Sequence, residues 1–130
     1  MGERVQMGTM VYTVLENQWK PSLTDNGTGR PPKHRYLIVR VSVTNSGGSV
    51  AGIPGFTIVG PKDDTYMEVT EGLEDVNGHL GVLRMIQPAE TEQGVVIFDA
   101  PIGAYKFMIS DGGDPGTEKF SRVDLPVSLE

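Results

Sequence analysis

Apolar and polar residues alternate with a period of two along much of this chain, and no stretch holds an amphipathic helical period. The clearest case is Tyr36 to Thr44. Leu37, Val39, Val41 and Val43 fall on one face, which is wholly apolar, while Ile38, Arg40, Ser42 and Thr44 fall on the other, which turns polar toward its end. That is the signature of a strand with one face in a core and one toward water. Thr91 to Ala100 is a second strong strand, built on Val95, Val96, Ile97 and Phe98. Gly94 sits inside it, where a bulge or a close backbone approach is expected. Met10 to Leu15 is rich in β-branched and aromatic residues, is ended by Trp19 and is broken by Pro21. Phe56–Val59 and Tyr66–Val69 are predicted to pair around the turn formers Gly60 to Asp64. Leu83 and Met85 alternate before Pro88, Tyr105–Ile109 forms another strand, and Phe120, Val123, Leu125, Val127 and Leu129 alternate to the end. Pro126 favours an edge position there.

Turn residues separate these segments. The 17 Gly and 9 Pro together make 26 of 130 residues, one in five against a usual share of about 12%. Both residues break helix interiors, so long helices are excluded, and with them the crossovers that parallel βαβ folds need. Three polar stretches are expected as loops. The first is 20–35, with a strong turn at Asn26-Gly27. The second is 71–81, where Gly72, Gly78 and Gly81 leave room for one helical turn at most. The third is 111–116. About seven to nine short strands remain. The expected fold is a single all-β domain over 1–130, an antiparallel β-sandwich, with a small barrel as the second choice. Its core is expected from Val11 or Tyr12, then Leu37, Val39, Val41, Val43, Ile58, Val96, Phe98, Phe107 and Val123.

Charge and chemistry narrow the function. Eleven basic and 17 acidic residues give a net charge of −6, which argues against sequence-independent nucleic-acid binding. With no cysteine, disulfides, thiolate catalysis and zinc–thiolate sites are excluded. His34 and His79 are too far apart in sequence for a local metal motif and are read as surface loop residues. No G-x-S-x-G elbow and no phosphate-binding glycine loop occurs. Carboxylates at Asp63-Asp64, Glu74-Asp75 and Asp111 and Asp114 lie in predicted loops, where calcium is the metal they suit. The twelve-residue calcium-loop spacing is absent, so no metal ligands and no cofactor are assigned. The densest basic stretch is Arg30, Lys33 and Arg35, and Trp19 stands close to it. Trp19 is read first as a core residue. If exposed, it forms with Arg30, Lys33 and Arg35 an interaction loop for a protein partner.

Four parts of the chain carry a family resemblance. They are Gly2-Glu3-Arg4-Val5 leading to Met10–Val14, the strand Tyr36 to Gly47, Phe56–Val59 with Asp63-Asp64 and Tyr66, and Ile86 to Pro101. In order and spacing the chain resembles a bacterial immunoglobulin-like domain of unknown function found in secreted proteins and lipoproteins, related in fold to the mycobacterial immunoprotective extracellular antigen. It departs from the family where Ala89 and Asp64 stand in place of glycine, and 102–121 is less familiar. The resemblance implies an immunoglobulin-like sandwich outside a bacterial cell, no catalytic residues, and a membrane link only through an anchor beyond this chain. On that basis Met1 is expected to mark a trimmed start. The expected function is a non-catalytic envelope or secreted interaction module, presenting loops 20–35, 71–81 and 110–119. A structural spacer and a calcium-binding domain are the alternatives.

Overall fold

The computed structural model describes residues 4–20, 34–69, 80, 85–111 and 119–125. Among them are ten strands and no helix: β1 (Arg4–Met7), β2 (Met10–Lys20), β3 (Arg35–Asn45), β4 (Ala51–Gly52), β5 (Thr57–Val59), β6 (Thr65–Met67), β7 (Met85–Ile86), β8 (Thr91–Ala100), β9 (Tyr105–Ser110) and β10 (Phe120–Leu125). All pairings are antiparallel. Sheet I has the order β1-β2-β3-β8, sheet II the order β10-β9-β5-β6, and β4 pairs with β7 in a small third ladder. The antiparallel sandwich is as expected. The strand number exceeds the expected seven to nine because four-residue β1 and two-residue β4 are too short to leave a periodic trace.

The alternation of β3 sets the inner face of sheet I. Leu37, Val39, Val41 and Val43 are buried while Ile38, Arg40, Ser42 and Thr44 are half-buried on the outer side. From β2, Tyr12 is the buried residue and Val11 the half-buried one. Sheet II contributes Ile58, Phe107, Ile109 and Leu125, and one continuous apolar cluster joins the two sheets. Aromatic contacts cross the gap: Phe98 meets Phe107 edge-on at 6.1 Å, and Tyr12 meets Phe56 edge-on at 5.9 Å. Such pairs add about 0.5–1.5 kcal/mol each beyond their buried area. Val123 is only half-buried against this core.

Strand β2 is longer than its periodicity indicates. Buried positions run Met10, Tyr12, Val14 and then Asn17, Trp19, a switch from even to odd. The register with β3 slips between Val14 and Glu16, so Leu15 is a bulge residue. One extra residue reverses the alternation and keeps both halves facing the core. The bulge expected at Gly94 is not there, because β3 and β8 pair without interruption from Arg35↔Ala100 to Thr44↔Thr91, through Val41↔Gly94.

The outer edge of β8 is capped by the chain that follows β6. Glu68 bridges Phe98, the Val69 N–H donates to the Ile97 carbonyl at 2.8 Å, and the Leu80 N–H donates to the Val95 carbonyl at 3.0 Å. Val95 and Ile97 alternate with core-facing Val96 and Phe98, yet they too are buried. A strand buried on both faces reads as an unbroken apolar run, which is how 95–98 reads.

Three turns among the described residues need left-handed backbone. Gly8, at φ 64°, opens the two-residue turn between β1 and β2. In the β5–β6 hairpin the Asp63 N–H donates to the Gly60 carbonyl, and Asp63 itself has φ 63°. This is a three-residue loop of the type that wants glycine at its last position. The left-handed residue is thus Asp63, one before the family's expected glycine at 64. In the third turn the Glu90 N–H donates to the Gln87 carbonyl at 3.1 Å with Pro88 second and Ala89 at φ 67°, a type II arrangement. This turn is tied to the end of β3 by Asn45. The Asn45 side chain is fully buried, donates to the Ser49 and Ile86 carbonyls at 2.9 and 3.0 Å, and accepts from the Gly47 N–H at 2.9 Å. Its carbonyl accepts from Ala89 N–H and its own N–H donates to Glu90.

Ala89 bears the steric cost of φ > 0, of roughly 1–2 kcal/mol, whereas glycine there loses only some extra chain entropy. Ala89→Gly is expected to stabilise the protein by about 0.5–1 kcal/mol, read as a higher urea midpoint at unchanged m-value. A lower midpoint contradicts the left-handed turn.

Candidate functional site

Of the four residues singled out from the sequence as an interaction loop, the structure describes Trp19 and Arg35. Trp19 is 1% exposed. The bulge at Leu15 turns it inward opposite Leu37, where its ring packs on Tyr105 at 5.9 Å. The expectation of a partner-facing Trp19 is therefore corrected, and its first reading as core holds. Arg30 and Lys33 lie outside the described residues, as do most of loops 20–35, 71–81 and 110–119. Arg35 belongs to a strand rather than a loop. It pairs with Ala100, is half-buried, and its Nε is buried without a hydrogen-bond partner among the described residues. Just ahead of the strand the His34 N–H donates to the Asp99 carboxylate at 2.9 Å. His34 is exposed, as expected, and His79 lies outside the described residues.

An aromatic staircase rises from the core to this point. Trp19 packs on Tyr105, Tyr105 meets Tyr66 edge-on at 5.9 Å, and Tyr66 meets His34 edge-on at 6.4 Å. The Tyr105 hydroxyl donates to the Pro101 carbonyl at 2.7 Å. Burial pushes the Tyr105 phenol up from 10.0 to about 12, helped by the neighbouring Tyr66 and the Asp64 carboxylate. A neutral phenol fixed to a carbonyl is a structural tether, not a proton donor at physiological pH.

The site sequence reasoning missed lies on sheet II. At the end where β5 finishes, β9 begins and β10 finishes, a groove of about 510 Å³ opens beside the β5–β6 turn. Its apolar floor includes Val59, Tyr105 and Leu125, and Pro61 and Asp63 form one wall. Lys106, Arg122 and Asp124 line the other side, where Lys106 and Asp124 face each other at 3.7 Å. Two cations and two anions leave the rim without net charge, so shape and apolar contact dominate what it can hold. The groove continues onto an outer face carrying half-buried Met108, flanked by Met67 at 79% exposure and Phe120 at 50%. The registers Met67↔Thr57↔Met108↔Arg122 and Ser110↔Phe120 place these residues on one side of the sheet. The outer face of sheet I differs: there Glu16 and Arg40 form an exposed ion pair at 3.0 Å. No spacing in the sequence announces the groove, since its residues come from three segments that only the sheet register brings together.

Among the described residues no three His, Asp or Glu side chains converge to hold a metal. Of the carboxylates considered for calcium, Glu74, Asp75 and Asp114 lie outside the described residues. Among the described residues no helix is long and apolar enough to cross a membrane.

Fold and groove together define an antiparallel β-sandwich with an open, mixed-charge cleft at one end of one sheet. The chain belongs to the family described as Domain of unknown function (DUF4352), whose profile matches residues 1–119. No curated protein matches it. Among solved structures it is similar to the yjhA protein of Bacillus subtilis, with a TM-score of 0.73, 16% identity and coverage of 97% of this chain and 98% of that one. It is similar also to ycdA of Bacillus subtilis, "a putative lipoprotein", with a TM-score of 0.67 and 19% identity, over 93% of this chain but 38% of that one. An uncharacterised β-sandwich protein of Clostridium difficile aligns at a TM-score of 0.55 with 14% identity, covering 94% of this chain and 90% of that one. At these identities the likeness is one of fold.

The Tyr105 phenol gives a pH prediction. Its folded pKa is raised, so its contribution is fully present below pH 10, where the unfolded phenol is still neutral. It is lost as pH climbs toward 12. Urea unfolding from pH 8 to pH 12 should show a loss on the order of 2 kcal/mol assignable to this group. Tyr105→Phe should cost about 1 kcal/mol at pH 8 through the lost bond to Pro101 and should flatten the alkaline decline. A variant that declines as steeply as the parent contradicts the assignment.

Proposed function

We propose that the chain is a non-catalytic interaction module of a secreted or envelope protein, and that its binding surface is the outer side of sheet II. One observation carries this reading. Met67 and Phe120 are exposed at opposite edges of the sheet face that carries the groove, with half-buried Met108 between them, and a spacer has no use for a groove flanked by exposed large apolar residues. A cleft with an apolar floor and a neutral charged rim suits an amphipathic segment of a partner protein better than a highly charged ligand. The envelope setting is supported by the resemblance to domains of exported proteins and by the lipoprotein description of one fold neighbour. Kinship in fold with the mycobacterial antigen belongs to this proposal and rests on the sandwich architecture alone.

Site-specific photocrosslinking in the native cells tests it. A photoreactive residue at position 67 or 120 is expected to give a discrete adduct in the envelope or secreted fraction, and one at Glu16 on the opposite face is expected to give none. Adducts at neither face favour the spacer. Recovery of the protein from the cytosol alone overturns the envelope setting.

A further inference from the structure

The sandwich leaves its edges unequally protected. The outer edge of β8 is capped by Glu68, Val69 and Leu80. Strand β6 offers three residues and β1 four. Apart from capped β8, β10 is among the described residues the longest edge that no strand ladders with on its outer side, at six residues, Phe120 to Leu125; only β9 pairs with it, and β1 of sheet I comes near it without pairing. An open edge of this length is a template for another strand unless its side chains oppose pairing.

The side chains of β10 do not oppose pairing with themselves; of the three registers centred on the middle and end of the strand, at Arg122, Val123 and Asp124, they favour one. Phe120, Arg122 and Asp124 are exposed on the outer face, and Ser121, Val123 and Leu125 turn inward. Two copies related by a two-fold axis normal to the sheet keep outer residues opposite outer residues, so the axis must pass through a residue pair of like kind. Centred on Arg122, two guanidinium groups face each other. Centred on Asp124, two carboxylates do. Both are unfavourable for directly opposed residues. Centred on Val123, each Arg122 lies opposite Asp124 of the second copy, and Val123 lies opposite Val123. Arg122 makes no ion pair or hydrogen bond among the described residues, and Asp124 already faces Lys106 across 3.7 Å. The pairing therefore completes an alternating Lys106–Asp124–Arg122 chain of charges twice over.

We propose that the protein forms a two-fold dimer in which the β10 edges of two copies pair antiparallel about Val123, joining both sheets II into one continuous eight-stranded sheet. The interface is isologous, as closed dimers require. The inference is independent of the interaction-module reading. It sets the two grooves side by side on a shared outer surface.

The absence of cysteine makes the register directly testable. Directly opposed residues in an antiparallel ladder have Cα atoms about 4.5–5.5 Å apart, within disulfide reach. In the full chain, Val123→Cys is expected to give a disulfide-linked dimer on mild oxidation, and Ser121→Cys, placed opposite Leu125 of the second copy, is expected to give none. Sedimentation velocity at low salt should show dimer growing with concentration. Arg122→Asp should weaken the dimer at least tenfold, and adding Asp124→Arg should restore it, because the exchanged pair is again complementary. Both charge variants change exposed residues, and circular dichroism melting checks that they fold. A parent protein that stays monomeric at millimolar concentration overturns the proposal. So does an Arg122→Asp dimer as tight as the parent's, or equal cross-linking through positions 121 and 123.

Discussion

The structure depends on two sheets meeting through a seam of aromatic rings. Phe107 lies at its centre, with Phe56 at 4.8 Å and Phe98 edge-on at 6.1 Å. It stands on β9, the second strand of sheet II. Phe98 stands on β8 of sheet I, and Phe56 enters just ahead of β5. Each ring is at most 2% exposed. Without disulfides, the attachment of one sheet to the other rests on this apolar contact and on the aliphatic rows beside it. The polar ties work at the margins. Asn45 holds the end of β3, the β7 strand and the turn at Ala89 together through buried, satisfied hydrogen bonds. A buried amide of this kind fixes one arrangement of loops, because any other leaves its donors unpaired.

Much of this framework was legible in the sequence, for a physical reason. Tyr36 to Thr44 has a strict period of two, and a sheet with one wet face needs nothing more to be recognised. Where a second constraint acted, periodicity failed. The extra residue at Leu15 inverts the alternation midway along β2, so the pattern is plain only from Met10 to Leu15, while the strand runs past Trp19 to Lys20. Trp19 gained its inward direction from that same inversion. Gly94 reads as a bulge or a close backbone approach, and the unbroken ladder rules out the bulge. The two departures from family glycines were legible as turn positions, yet only the backbone shows that Asp63 and Ala89 carry the left-handed angles.

The candidate site was not legible. Its floor and rim come from Val59 to Asp63, from Tyr105 and Lys106, and from Arg122 to Leu125. No short-range motif links them. The register Val59↔Lys106↔Asp124 assembles them. In the sequence, aromatic and basic residues cluster in and beside the polar loop 20–35. The proposed surface lies on a sheet face, where exposed Met67 and Phe120 fall among residues that read as ordinary strand alternation. The same alternation places Arg122 and Asp124 two apart on an edge, a spacing whose meaning depends on which strands are paired and which are open.

The Phe98–Phe107 contact couples the two sheets. A double-mutant cycle with Phe98→Leu and Phe107→Leu, followed by urea unfolding, measures it directly. The account predicts that the double variant departs from the sum of the singles by about 1 kcal/mol, since each single change already forfeits the shared contact. Additivity to within about 0.3 kcal/mol would contradict a seam between the sheets at this pair.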